Sequence, residues 1–149
     1  MQADQTNRES CPDAMPSLCG YRVAVLIPCY NEEVTIGAVV RDMRMALPDA
    51  ALFVYDNNST DQTLARAREA GAITRRERLQ GKGHVIRRMF ADIEADFYVL
   101  IDGDGTYEAA AAPKMIRLAL ENAHDTVMGV RVHERAEAIV PDMFWVTRC

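Results

Sequence analysis

From Arg22 onward, short apolar runs alternate with stretches in which apolar residues recur every three or four positions. The first run, Arg22 to Ile27, is almost continuously apolar rather than alternating, which predicts a strand buried on both faces and ended by Pro28. Ile36, Val39, Val40, Met43 and Leu47 then follow helical spacing, and Pro48 stops that helix. Ala51 to Tyr55 predicts a second strand. Ser59, with Gln62 three residues on, predicts a capping box opening a short helix that Gly71 closes. Ala72 to Arg75 predicts a third, weaker strand. Val85, Ile86, Met89, Phe90 and Ile93 mark another amphipathic helix, and Phe97 to Ile101 a strand after it. Pro113 stands near the start of a helix carrying Met115, Ile116, Ala119 and Leu120, and Thr126 to Val132 predicts a further strand.

Strands alternating with helices predict a three-layer α/β/α domain with a mainly parallel sheet and right-handed crossovers. Open sheets of this kind take their ligands at the C-terminal ends of the strands. That rule selects three polar segments: Pro28 to Glu33, Asp56 to Asp61, and Asp102 to Thr106.

The chain has 149 residues, 49% of them hydrophobic, enough for one packed domain. A net charge of -5 argues against a nucleic-acid binder with a broad basic surface. Residues 1–20 are polar and aperiodic, which predicts a flexible leader without the apolar core of a signal peptide. No apolar run approaches the roughly twenty residues of a membrane span, so the expectation is a soluble, cytoplasmic protein. The four cysteines, at positions 11, 19, 29 and 149, form no close pair and predict free thiols, and the three histidines have no metal-ligand spacing.

The densest chemistry is Asp102-Gly103-Asp104-Gly105-Thr106. Two carboxylates one residue apart, on a backbone opened by glycines, bring hard oxygens together as Mg²⁺ or Mn²⁺ requires. Taken alone the same residues also make an ordinary polar turn. The glycine fingerprint of a dinucleotide-binding domain is absent after the first strand, and Gly81-Lys82-Gly83 lacks the Ser or Thr of a Walker loop. The segment also resembles the first motif of haloacid dehalogenase-type phosphatases, in which Asp102 would be the nucleophile. That motif normally opens its domain, with a lysine and further acidic residues well downstream, and only about forty residues follow here.

Four motifs in order, Pro28-x-Tyr30-Asn31-Glu32, Asp56-Asn57-Asn58-Ser59-Thr60-Asp61, Gly81-Lys82-Gly83 and Asp102-x-Asp104, resemble the family two glycosyltransferases. The pattern looks closest to the bacterial branch related to dolichyl-phosphate mannose synthase and other polyprenyl-phosphate glycosyltransferases. The resemblance implies a nucleotide-diphospho-sugar transferase fold, Rossmann-like in its N-terminal half. It implies that Pro28, Tyr30 and Glu32 line the nucleotide pocket, that Asp56 reads the base edge with Val54 packed nearby, and that Asp102, Gly103 and Asp104 face the ribose and a divalent metal, Mg²⁺ or Mn²⁺. Lys82 and Arg131 are implied to add positive charge beside the diphosphate. The implied partners are a nucleoside-diphosphate sugar, a polyprenyl phosphate acceptor and the inner membrane face; a nucleic acid is not among them. The Arg75, Arg76, Arg78, Arg87 and Arg88 cluster reads as a solvated basic face or as a contact for anionic headgroups.

Many relatives carry Asp-Asp-Gly-Ser where this chain has Asp56-Asn57-Asn58-Ser59; Asn58 is still able to take the left-handed turn conformation. The expected boundaries are 1–20 for the leader, 21–132 for a partial nucleotide-sugar-binding domain and 133–149 for a divergent tail. After Ala138 the segment IVPDMFWVTRC departs from the family. One codon choice read in a shifted frame gives YRAGHVLGNAL, which is similar to the family's continuation and predicts a frameshifted, truncated gene. On that expectation the acceptor half is lost, the chain is an inactive or non-catalytic nucleotide-binding fragment, and a bare sheet edge with an apolar tail favours aggregation.

Overall fold

A computed structural model of the chain describes residues 20–129 and 144–148. In chain order the elements are β1 (Val23–Cys29), α1 (Ile36–Ala46), β2 (Ala51–Asp56), α2 (Thr63–Glu69), β3 (Ile73–Arg76), α3 (Lys82–Asp92), β4 (Phe97–Leu100), α4 (Ala111–Glu121), β5 (Thr126–Met128) and β6 (Trp145–Arg148). The strands form one sheet in the order β3-β2-β1-β4-β6-β5. The first four in that order are mutually parallel, and β6 runs antiparallel to both its neighbours.

All seven residues of β1 are buried because the sheet is covered on both faces. Val25, Ile27 and Cys29 pack with Val54, Val99 and the apolar stripes of α1 and α4, which include Ile36, Val40, Met43, Met115 and Ile116. Ala24 and Leu26 point the other way, onto Val85 and Met89 of α3. Each fully buried aliphatic side chain of this kind contributes about 1.5–3 kcal/mol. On the α3 side, Asp92 accepts hydrogen bonds from Tyr55 Oη (3.1 Å), Arg75 (3.1 Å) and Arg88 (2.9 Å), which ties β2, β3 and α3 together. These donors, the Arg88 guanidinium foremost, hold the Asp92 carboxyl below the usual range, while burial and Asp92 push the Tyr55 phenol up to about 12.

Three sequence expectations change. Pro28 lies within β1 rather than ending it. Along β1 the odd residues bond towards β2, as Cys29 does by accepting the Asn57 N–H, and the even ones towards β4, as Leu26 does by accepting the Ile101 N–H. The nitrogen of Pro28 therefore faces β4, where register has already ended at Leu26 and Leu100, and its missing proton costs no bond to β2. The second helix begins at Thr63 without a Ser59 cap, since Ser59 Oγ instead accepts the Asn31 N–H at 2.9 Å and Asp61 accepts the Thr63 N–H at 2.9 Å. Its far end is as expected: Gly71, at φ +94°, donates to Arg68 and Ala72 donates to Ala67, a Schellman closure.

The third change concerns the tail. Trp145–Arg148 is a strand inserted between β4 and β5, with Phe144 and Val146 buried against the α4 face. It covers β4, so the free edges of the described sheet are β3 and the short β5. Residues 130–132 of the expected last strand lie outside the described residues. Among the described residues no helix is long and apolar enough to cross a membrane.

Candidate active site

Register between β1 and β4 stops at Leu26 and Leu100, and Pro28 has no proton to carry it further. The two strand ends therefore separate, and Asp102 to Thr106 folds over the end of β1. Gly103 makes this possible. A Cβ there would stand 2.2 Å from Glu32 Oε2 and 2.6 Å from Cys29 Sγ, closer than any side chain tolerates. The Thr35 hydroxyl donates to the Gly103 carbonyl at 2.7 Å and pins the loop to the start of α1.

Three carboxylates lie near this crossing. Asp102 Oδ1 accepts from Lys82 Nζ at 2.5 Å, and Asp104 Oδ1 accepts from the Thr106 backbone at 3.0 Å and its hydroxyl at 2.6 Å. Glu32 Oε2 is buried without a hydrogen-bond partner among the described residues. Burial pushes the Glu32 carboxyl up to about 7; the charges of Asp104 and Asp102 act in the same direction, against the Cys29 thiol and Lys82. Burial and Glu32 in turn push the Cys29 thiol well up, so it stays protonated. On the α1 side a recess of about 250 Å³ adjoins the carboxylates, walled by Thr35, Val39, Asp102, Asp104, Tyr107 and Phe144.

Among the described residues no group of three or more His, Cys, Asp or Glu side chains is arranged to hold a metal unaided. The donors do suit a hard divalent ion that arrives with a diphosphate. Mg²⁺ keeps to one or two carboxylates plus phosphate and water oxygens rather than an all-protein cage, and the neighbouring acidic groups Asp102 and Asp104 are such a pair.

The end of β2 lies next to the end of β1. Asp56 is 0% exposed, paired with Arg76 at 3.1 Å and facing the Ser59 N–H. Next to it Asn57, 4% exposed, donates to the carbonyls of Glu77 (3.0 Å) and Leu79 (2.8 Å) and accepts from Gly81 N–H at 2.7 Å. Asn58, in the left-handed conformation at φ +67°, donates to the Arg78 carbonyl at 2.9 Å. Two amides thus shape the loop that delivers Lys82 to Asp102. An aspartate at position 57 has no proton to give those carbonyls. Asn31, at φ +55°, accepts the Thr60 N–H at 2.9 Å and joins the β1 and β2 loops.

Of the expected site residues, Pro28, Glu32, Asp56, Lys82, Asp102, Gly103 and Asp104 stand at the C-terminal ends of β1, β2 and β4 or bond to them, and Tyr30 lies beside them, 53% exposed. Val54, expected to pack near Asp56, lies two residues before it on β2 and is wholly buried in the core. Arg131 lies outside the described residues. The basic cluster is largely engaged, Arg75 and Arg88 with Asp92 and Arg76 with Asp56. Sequence reading missed Asn57 and Thr35 as organisers of the site. The departure from Asp-Asp-Gly-Ser was the available signal for the first; nothing in the sequence marked the second.

Comparison with known proteins gives a consistent picture. A family model described as "Glycosyl transferase family 2" matches residues 24–139. RfbJ of Shigella flexneri is 48% identical over 111 residues, covering 74% of this chain and 86% of that protein. The glycosyltransferase AglJ of Haloferax volcanii is 41% identical over 73% of this chain but only 36% of its own length. A dolichyl-phosphate hexose transferase from the same organism is 31% identical over 78% of this chain and 51% of its own. Among solved structures, glucosyl-3-phosphoglycerate synthase of Mycobacterium tuberculosis in complex with Mg²⁺ and uridine diphosphate superposes with a TM-score of 0.63 at 28% identity, covering 71% of this chain and 41% of that one. RfbJ apart, the chain thus spans about half or less of the length of these relatives. The phosphatase alternative gains no support, since these relatives are transferases and Asp102 follows the fourth strand instead of opening the domain.

Proposed function

Because the chain belongs to glycosyl transferase family 2, we propose that it forms the donor-binding part of an enzyme that takes a nucleoside-diphosphate sugar and transfers the sugar, with inversion, to a polyprenyl phosphate at the inner face of the membrane. The observation that carries this reading is the close approach of the Asp102–Asp104 turn to Glu32 at Gly103, with Lys82 reaching from α3 to Asp102. The nucleoside lies along the ends of β1 and β2, with Tyr30 as an aromatic face and Asp56, released from Arg76, accepting from the base. The sugar points into the recess beside Asp104.

Asp102 and Asp104 would hold the Mg²⁺ or Mn²⁺ ion, which when bound neutralises charge on the departing diphosphate. Lys82 adds a second positive charge at the same place, and Arg131 is proposed to do likewise. An oxygen of the acceptor phosphate attacks the anomeric carbon as the bond to the diphosphate oxygen breaks on the opposite face. A phosphate already ionised at neutral pH needs no protein base to remove a proton. The dolichyl-phosphate hexose transferase relative supports this acceptor class.

A screen of radiolabelled UDP- and GDP-sugars with Mn²⁺ tests the reading. Label is expected in the lipid phase only when both metal and polyprenyl phosphate are present. Donor binding without transfer to any acceptor would favour a non-catalytic nucleotide-binding fragment, and metal-independent transfer would contradict the reading.

A further inference from the structure

Lys82 and Asp102 are unequally placed. The lysine side chain is 45% exposed and the carboxylate only 15%, with 2.5 Å between Nζ and Oδ1. Lys82 is the first residue of α3, and the loop before it is fixed by the two Asn57 bonds to Glu77 and Leu79, by Gly81 bonding back to Asn57, and by the Asn58 bond to Arg78. Its root is rigid while its four-carbon stem reaches through solvent, so the ammonium can leave Asp102 without any movement of the backbone. Its bonded partner is Asp102, and its charge opposes those of Asp104 and Asp102 at the buried Glu32 carboxyl beside them.

We propose that Lys82 is the internal counterion of the metal position: it holds Asp102 while no divalent ion is present, and it yields that oxygen to the metal and turns to the diphosphate when the donor binds. The inference rests on the reading that Asp102 and Asp104 take the metal. A lone pair that accepts from an ammonium is not available to a divalent ion, so lysine and metal alone compete for Asp102. Once a diphosphate is present it offers the displaced ammonium a new partner, and the two cations then cooperate. Lys82 therefore suppresses metal binding to the empty site and promotes binding of metal together with nucleotide.

The consequence is a pair of effects of opposite sign. Mn²⁺ binding to the chain alone, followed by electron paramagnetic resonance, is expected to tighten about tenfold in Lys82→Gln, equal to about 1.4 kcal/mol. Binding of UDP with saturating Mn²⁺, followed by calorimetry, is expected to weaken about tenfold in the same variant. Lys82→Arg keeps the charge and is expected to leave Mn²⁺ binding close to that of the natural chain, and thermal melts of both variants establish that the fold is retained. Unchanged or weaker Mn²⁺ affinity in Lys82→Gln would overturn the proposal, as would equal tightening in Lys82→Arg. If UDP brings Mn²⁺ to the natural chain and Asp104→Asn abolishes this, failure of the Lys82 variants sinks the counterion role alone. If the natural chain takes no Mn²⁺ with UDP, the metal reading falls and the counterion role with it.

Discussion

Asn57 shows how one amide sets the geometry of a site it does not enter. Its two donated bonds fix the carbonyls of Glu77 and Leu79, and its oxygen takes the Gly81 N–H. In Asn57→Asp the acceptor remains while both donors are lost, leaving two carbonyls facing a buried carboxylate. The expected cost is about 1–3 kcal/mol of stability, read as a lower thermal midpoint, and a midpoint equal to that of the natural chain would refute the role. Glu32 gives a pH-dependent prediction. Its folded-state carboxyl is raised to about 7 from an ordinary value of 4.5, so between those values the native chain binds more protons than the unfolded one. Stability is then lost as pH rises from about 4.5 to 7. In metal-free buffer Glu32→Gln is expected to gain stability relative to the natural chain at pH 8 and to match it near pH 4; parallel melting curves across that range would contradict this. At this scale the sequence placed Glu32, Asp56, Asp102 and Asp104 at or just after strand ends, which is where the structure has them. It was silent about the role of Asn57, whose partners lie 20 to 24 residues away and come within reach only once β3 pairs with β2.

Among the elements, β1 was legible because burial on both faces leaves an unbroken apolar run, whereas its end was not. Pro28 reads as a stop, yet only the direction of its nitrogen within the sheet decides whether a bond is lost, and that direction depends on which neighbour ends first. The start of α2 was misread for a related reason: a serine oxygen has several possible donors, and the Asn31 N–H reached Ser59 across two loops. The strand β6 was missed because Trp145–Arg148 is short and follows a segment with no periodic pattern. Its contribution is testable. Val146 is fully buried between β4 and β5, so Val146→Asp is expected to cost about 4 kcal/mol or more, while Arg148→Glu on the exposed end stays within about 0.5 kcal/mol. Chemical denaturation measures both, and equal effects would show that β6 is not part of the folded sheet.

For the whole molecule, the layered α/β architecture followed from alternation of strands and helices, and the sheet order then brings the ends of β2, β1 and β4 side by side. That adjacency brings three separate polar loops to one edge of the sheet, with glycine at the closest crossing and the cations Arg76 and Lys82 resting on Asp56 and Asp102. The chemistry proposed for this strand edge is the handling of a diphosphate by carboxylates and a divalent ion. The most direct test is calorimetric titration of UDP into the chain with Mn²⁺, with EDTA, and into Asp104→Asn with Mn²⁺. Binding is expected only in the first case, with affinity falling at least about tenfold in the other two. UDP binding that persists in EDTA, or that is indifferent to Asp104→Asn, would contradict the account.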